Sequence, residues 1–120
     1  IWALKCSSCT NRGRLDGPAV GIPPCPECGS HLRPDVVWFG ESLDRNVMAK
    51  VYSELEQADV CMIIGTSVFV QPAASFPLVV KQLGGQLVEV NVERTPLTPA
   101  VDVHLSGMAG VMLPEVDSLL

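Results

Sequence analysis

With 120 residues the chain has room for one ordinary domain or part of a larger one, and 48% hydrophobic against 18% charged is a globular rather than a disordered composition. A formal net charge of -5 and an isoelectric point near 4.8 argue against a nucleic-acid surface, which would show a basic patch or stripe. The longest uncharged stretch, residues 60–80, is interrupted by Gly65, Thr66, Ser67, Gln71, Pro72, Ser75 and Pro77 too often for a membrane span, so neither nucleic acid nor membrane is expected as a partner.

The first residues carry no signal-peptide pattern and do not begin with Met, so a piece of a longer, soluble and cytoplasmic protein is expected, mitochondrial if the source is eukaryotic. Cys6-x-x-Cys9 and Cys25-x-x-Cys28 follow, fifteen residues apart. This is the spacing of a zinc ribbon, in which two knuckles close a tetrahedron of thiolates and leave no position for water. Two redox pairs or a disulfide framework is the competing reading. The residues between the pairs are rich in Gly and Pro and predict a loop with one short strand, which cannot bury a core. Metal must then supply much of the folding free energy, on the order of 10 kcal/mol in small modules. The ribbon is placed at residues 4–34. Cys61 lies apart in an apolar run and reads as a small buried hydrophobe.

Residues 36–39, Val-Val-Trp-Phe, form an apolar run closed by Gly40 and Glu41. A buried strand explains the run but not its closure. From Asp44 the pattern alternates between helix and strand. Val47, Val51 and Leu55, flanked by Met48 and Tyr52, predict a helix with one apolar face and Asp44 as N-cap. Residues 60–64, VCMII, read as a strand of a parallel sheet covered by helices on both faces. A helix through Val79–Leu83 is expected next, kinked or delayed by Pro77 and ended by Gly84 and Gly85. Strands are predicted at 87–91 and 101–105, and a short terminal helix from about Pro114. This is half of a doubly wound sheet, occupying residues 35–120.

Ligands of such sheets sit outside the carboxyl ends of the strands. Those ends are Gly65-Thr66-Ser67, Asn91-Val92-Glu93 and Ser106-Gly107-Met108-Ala109-Gly110. Backbone amides and hydroxyls suit phosphate, and an amide or carboxylate suits ribose hydroxyls, so the set points to a nucleotide. Ordinary strand-to-helix turns also favour Gly, Ser and Thr.

CSSC with CPEC, LRPDVVWFGESL, ADVCMIIGTSVFVQPAASFP, VEVNVERTP and a Gly-rich turn before LPE, in that order, resemble the C-terminal half of a sirtuin, an NAD-dependent protein-lysine deacylase. The form RPDVVWFGE is most similar to the class of bacterial and mitochondrial deacetylases and desuccinylases. The resemblance implies the C-terminal half of a Rossmann-like doubly wound sheet with a four-cysteine ribbon, structural zinc on Cys6, Cys9, Cys25 and Cys28, and NAD as cosubstrate. It implies NAD contacts at Gly65, Thr66, Ser67, Asn91 and Glu93, with Val70 and Ala109 near the ribose and adenine. It also implies that the segment at 36–41 lines a cleft where an acyl-lysine peptide adds as a strand, through backbone at Val37, Gly40 and Glu41 and a wall at Phe39. Val36 and Trp38 alternate away from Val37 and Phe39, and a core role stays open for them.

The implied reaction is attack of the acyl oxygen on the nicotinamide ribose, with loss of nicotinamide and transfer of the acyl group to ADP-ribose. The family's catalytic His, Gly-rich phosphate turn and Gln-Asn-x-Asp segment would lie before Ile1, in an N-terminal half with which this chain would pair. His31, in the second knuckle, and His104, in the last strand, read as surface or core residues. The chain alone is therefore expected to be inactive. Two other readings are a non-catalytic protein-binding module made of ribbon and nucleotide fold, and a nucleotide domain of the thiamine-diphosphate or electron-transfer flavoprotein kind. The latter lack an inserted ribbon.

Overall fold

The four paired cysteines and the helix-strand alternation fall in separate units, one up to Leu43 and one from Asp44, in a computed structural model that describes residues 2–119. In the first unit β1 (Ala3–Cys6) is central in an antiparallel sheet, flanked by β2 (Arg12–Arg14) and β3 (Leu32–Pro34). Only one of these three strands is expected from sequence, because they are too short to show a periodicity. The second knuckle turns at Gly29, whose φ of +74° is the left-handed conformation glycine adopts without strain. There the Gly29 N–H donates to the Cys25 carbonyl at 2.9 Å. The buried apolar residues of this unit are Leu4, Cys6 and Cys25, too few for a self-sufficient core.

Residues 36–43 form bends and turns. Val36, Val37, Trp38 and Phe39 are all exposed, so the core role left open for Val36 and Trp38 is not adopted. No partner strand lies alongside to pair with them among the described residues of this unit.

The second unit begins with α1 (Arg45–Leu55), capped as expected: the Asp44 carboxylate accepts from the Asn46 and Val47 N–H groups at 2.8 and 3.0 Å. β4 (Val60–Ile64), β5 (Gln86–Asn91) and β6 (Val103–Ser106) form a parallel sheet in chain order. Cys61, Ile63 and Leu87 face one side, where Val80 and Leu97 complete the core and Leu55 and Ala58 pack against it. Burial pushes the Cys61 thiol up, consistent with its reading as a small hydrophobe.

Four expectations are corrected here. The helix α2 (Phe76–Gln82) starts earlier than expected, because Pro77 sits in its first turn, where the missing N–H has no intrahelical partner to lose. The terminal helix α3 (Ala109–Asp117) runs through Pro114 instead of starting there. β4 is covered on one face only: Ile63 is buried, but Val60, Met62 and Ile64 stay exposed, and Met62 opens on a groove beside Leu113, Pro114 and Val116 of α3. The last strand starts at Val103 because Asp102 turns its carboxylate to the Leu87 N–H at 2.8 Å and to Lys81. No helix among the described residues is long and apolar enough to cross a membrane.

Candidate functional site

The ribbon brings all four paired cysteines together, with their sulfurs within 4.8 Å of one another. Cys6 and Cys28 Sγ are 3.5 Å apart and Cys9 and Cys25 Sγ 3.6 Å, far beyond the ~2.05 Å of a disulfide. A tetrahedron with ~2.3 Å metal-sulfur bonds has edges of roughly 3.8 Å, so the cluster fits a closed four-thiolate zinc site and not a disulfide framework. The Ser8 and Cys9 N–H groups point at Cys6 Sγ from 3.3 and 3.4 Å. The Ser8 N–H first, with the Cys9 N–H and the neighbouring thiols, outweighs burial and pulls the Cys6 thiol down to about 6. Cys9 is pushed up to about 12: the Asn11 N–H lowers it, but the other sulfurs and burial prevail. Sulfurs crowded this closely oppose one another's ionisation, and a bound cation would balance their charge.

The same unit carries a polar clamp around the segment at 36–41. The Arg33 guanidinium donates to the Val36 carbonyl at 3.2 Å and to Glu41, and lies 4.0 Å above the Trp38 ring. Glu41 accepts the Trp38 N–H at 3.0 Å and lies 3.6 Å from Lys5 Nζ. The Trp38 N–H and the cations Arg33 and Lys5 hold its carboxyl below the usual range against desolvation. Lys5 and Arg12 form ion pairs with Asp35. The Glu41 side chain is thus occupied in closing the turn. Gly40, at φ +87°, supplies the reversal, and Val37 and Phe39 project outward.

In the second unit, the ends of β4 and β5 open on a cavity of about 210 Å³ lined by Gly65, Thr66, Ser67, Phe69, Asn91, Glu93, Arg94, Thr95 and Pro96. Five residues singled out from sequence, Gly65, Thr66, Ser67, Asn91 and Glu93, meet there. Hydrogen bonds tie the strand ends together: Gly65 N–H to the Val90 carbonyl at 2.9 Å, Gly107 N–H to the Asn91 carbonyl at 3.0 Å, and Asn91 Nδ2 to the Thr66 carbonyl at 2.8 Å. Asn91 Oδ1 also accepts the Val92 N–H at 2.9 Å, leaving one amide hydrogen and one lone pair for a ligand. Val70 lines a smaller neighbouring pocket with Ile63, Thr66 and Val68 instead, and Ala109 opens α3 beyond the Gly107 turn. Val68 has φ +58°, a conformation that costs a β-branched residue on the order of 1–3 kcal/mol and persists only where its surroundings fix it.

Sequence reading missed Phe69, Arg94, Thr95 and Pro96. The signal for the last three was their position directly after Glu93, in the loop leaving β5. It also missed the wholly buried Glu89, whose carboxylate accepts from Thr95 Oγ1, from Thr98 Oγ1 at 2.6 Å and from His104 Nδ1 at 3.0 Å. Burial pushes this carboxyl up, but the hydrogen bonds from Thr95, Thr98 and His104 prevail and leave it below the ordinary carboxylate range. His104 is thus bound to a core carboxylate, and His31 is exposed in the ribbon. Neither lines the cavity.

A four-thiolate ribbon together with a parallel sheet whose strand ends enclose a polar cavity defines a zinc-ribbon nucleotide-fold protein. The Sir2 family matches residues 1–72, and the chain belongs to that family. Over 97% of its length it is 49% identical to NAD-dependent protein deacylase 1 of Archaeoglobus fulgidus, of which it covers 48%. It matches a crystal structure of a Sir2 homolog-NAD complex with a TM-score of 0.90 and 47% identity, over 95% of this chain and 45% of that one. A structure of a Sir2 protein bound to a propionylated peptide matches with a TM-score of 0.87 and 26% identity, over 95% and 50% of the two chains. The chain spans about half the length of the curated relatives it matches.

Proposed function

We propose that this chain provides the zinc ribbon, an acyl-peptide-binding segment and one wall of the NAD site of an NAD-dependent protein-lysine deacylase. The observation that carries this is the cavity at the carboxyl ends of β4 and β5, where Gly65, Thr66, Ser67, Asn91 and Glu93 converge. The names of the relatives, NAD-dependent protein deacylases, and the NAD complex of a homolog support the same reading.

NAD supplies a nicotinamide leaving group and the ADP-ribose that receives the acyl group. The residues here bind and orient. The turn at Gly65 offers backbone N–H and hydroxyl donors suited to phosphate oxygens, and φ +59° at Gly65 lets the chain reverse there without strain. Asn91 keeps one donor and one acceptor for ribose hydroxyls, and Glu93 adds a carboxylate acceptor. Val70 and Ala109 are proposed as outer contacts of the same ligand. Since neither histidine of this chain lines the cavity, binding and not proton transfer is assigned to these residues.

Val37, Phe39, Gly40 and Glu41 are proposed to bind the acyl-lysine peptide. The clamp of Arg33 and Glu41 fixes a turn that leaves Val37 and Phe39 exposed, and the propionylated-peptide complex of a Sir2 protein supports a peptide ligand. Zinc is proposed on the four thiolates as a structural ion. Calorimetry with NAD on the intact enzyme tests the reading. Asn91→Ala and Ser67→Ala should each weaken NAD binding by about 1–3 kcal/mol, and unchanged affinity in both folded variants sinks it.

A further inference from the structure

The loop that leaves β5 forms one wall of the cavity through Glu93, Arg94, Thr95 and Pro96, yet almost nothing apolar holds it there. Glu93, Arg94 and Pro96 are exposed, and only Leu97 at its far end enters the core. What holds it is polar. Thr95 and Thr98 both donate to the Glu89 carboxylate, which lies within β5 two residues before Asn91. The two threonines are also bound to the loop backbone: Thr98 Oγ1 accepts the Thr95 N–H at 2.7 Å, and Thr95 Oγ1 accepts the Leu97 N–H at 3.2 Å. His104 closes the cluster from β6.

An apolar side chain at 89 would suit a parallel strand better, since burying a carboxylate is costly unless its oxygens are well hydrogen-bonded. Here three donors reach its two oxygens, and no buried side-chain polar atom is left without a partner among the described residues. A carboxylate kept at that cost in the sheet, with one of its three donors, Thr95, in the cavity wall and a second, Thr98, at the base of the same loop, does what a leucine could not. It locks the loop at a fixed distance from the strand end.

We infer that Glu89 is a positioning residue for the nucleotide site: without touching the ligand, it sets the wall formed by residues 93–96 through Thr95 and Thr98. This rests on the NAD reading of the cavity. The cluster requires an acceptor at 89, because both hydroxyls are committed as donors to it. Glu89→Gln replaces one acceptor oxygen by a donor that faces other donors and must release the loop. The side chain of Thr95 carries the same argument from the other end.

The test uses the intact enzyme and ADP-ribose as probe, with zinc content and a cooperative melting transition as checks on folding. Glu89→Gln should weaken ADP-ribose binding roughly tenfold, equivalent to about 1.4 kcal/mol, and raise the KM for NAD while leaving the KM for acyl-peptide within about twofold. A purely structural role would lower the melting temperature without this split. Thr95→Val, which removes the hydroxyl at nearly constant shape, should act in the same direction, and Thr95→Ser should restore binding. The Thr95 pair decides the matter if Glu89→Gln does not fold. Wild-type binding that persists undiminished in Glu89→Gln or Thr95→Val overturns this inference alone. Absence of ADP-ribose binding by the wild type overturns the NAD reading and this inference with it.

Discussion

The two units solve the problem of size in opposite ways. Up to Leu43 the chain has three short strands, buries little beyond Leu4 and two of its own cysteines, and places its charges in a partly exposed lattice of Lys5, Arg12, Arg33, Asp35 and Glu41. From Asp44 onward a parallel sheet buries Ile63, Val80, Leu87, Val90 and Leu97, and the fully buried Glu89 has both carboxylate oxygens hydrogen-bonded. The first unit therefore depends on a metal for its stability, and the second on apolar burial. The comparison teaches where each can be damaged without the other.

The largest expected effect is on the ribbon. Cys25→Ser, or removal of metal by a chelator, should abolish a stabilisation on the order of 10 kcal/mol and leave residues 2–43 open to proteolysis. Metal analysis should find about one zinc per chain in the wild type and none in the variant. Residues 44–119 should keep their hydrogen-exchange protection. If the sheet unit melted together with the ribbon, the contrast between the two units would be wrong.

Leu87→Ala is the converse experiment. Leu87 is fully buried at the centre of the core, and its truncation should cost about 2–5 kcal/mol. Its melting transition should fall while zinc content stays at the wild-type value. Gly85→Ala should act in the same place for another reason. A Cβ there would stand 2.5 Å from Val80 Cγ1 and 2.8 Å from the Ala58 carbonyl oxygen, so backbone would have to move.

These contrasts show which parts of the molecule could be read in advance. The Asp44 cap, the three parallel strands and the thiolate cluster were legible because each rests on a local rule: a capping side chain, an apolar run of strand length, a knuckle spacing. The strand ends were legible because a parallel sheet brings its carboxyl ends together wherever the strands lie. What was not legible depends on geometry at longer range. The role of Pro114 was misjudged because proline was taken to start a helix, whereas the helix runs on through it. The exposure of Val60, Met62 and Ile64 contradicts a correct rule about parallel strands, since coverage depends on which elements pack there and not on the strand. Nothing in the strand pattern at 87–91 singles out Glu89, and only the positions of Thr95, Thr98 and His104 reveal what it holds.

Acid should separate the units by mechanism. Lys81 first, and then the Leu87 N–H, hold the Asp102 carboxyl below its usual value. A carboxyl whose folded value is depressed stabilises the fold above its unfolded value, near ~3.9 for Asp, and that stabilisation is lost as pH falls through the lower folded value. Asp102→Asn should therefore reduce the stability of the sheet unit at neutral pH and make it less sensitive to acid, without changing the pH at which zinc is released. In the ribbon, protons compete with metal for the thiolates, so its acid limb should track zinc loss. Identical acid limbs in wild type and Asp102→Asn, followed by hydrogen exchange in residues 86–103, would show that this carboxylate does not couple the sheet to pH.

The smallest expected change in stability is at Arg33. Arg33 is half-buried, but Arg33→Lys keeps the charge beside a carboxylate that stays in contact with water, so zinc content and melting temperature should be nearly unchanged. Lysine cannot, however, reproduce the planar guanidinium that lies over Trp38 while donating to both the Val36 carbonyl and Glu41. The stacking contribution lost is about 0.5–1 kcal/mol, enough to let the turn at 36–41 sample other shapes. If that turn binds the acyl-lysine peptide, the KM for peptide should rise roughly two- to fivefold while the KM for NAD stays constant. A rise in both would mean that Arg33 acts through general stability. No change in either would mean that the clamp does not shape the peptide-binding segment, and the exposure of Val37 and Phe39 would need another explanation.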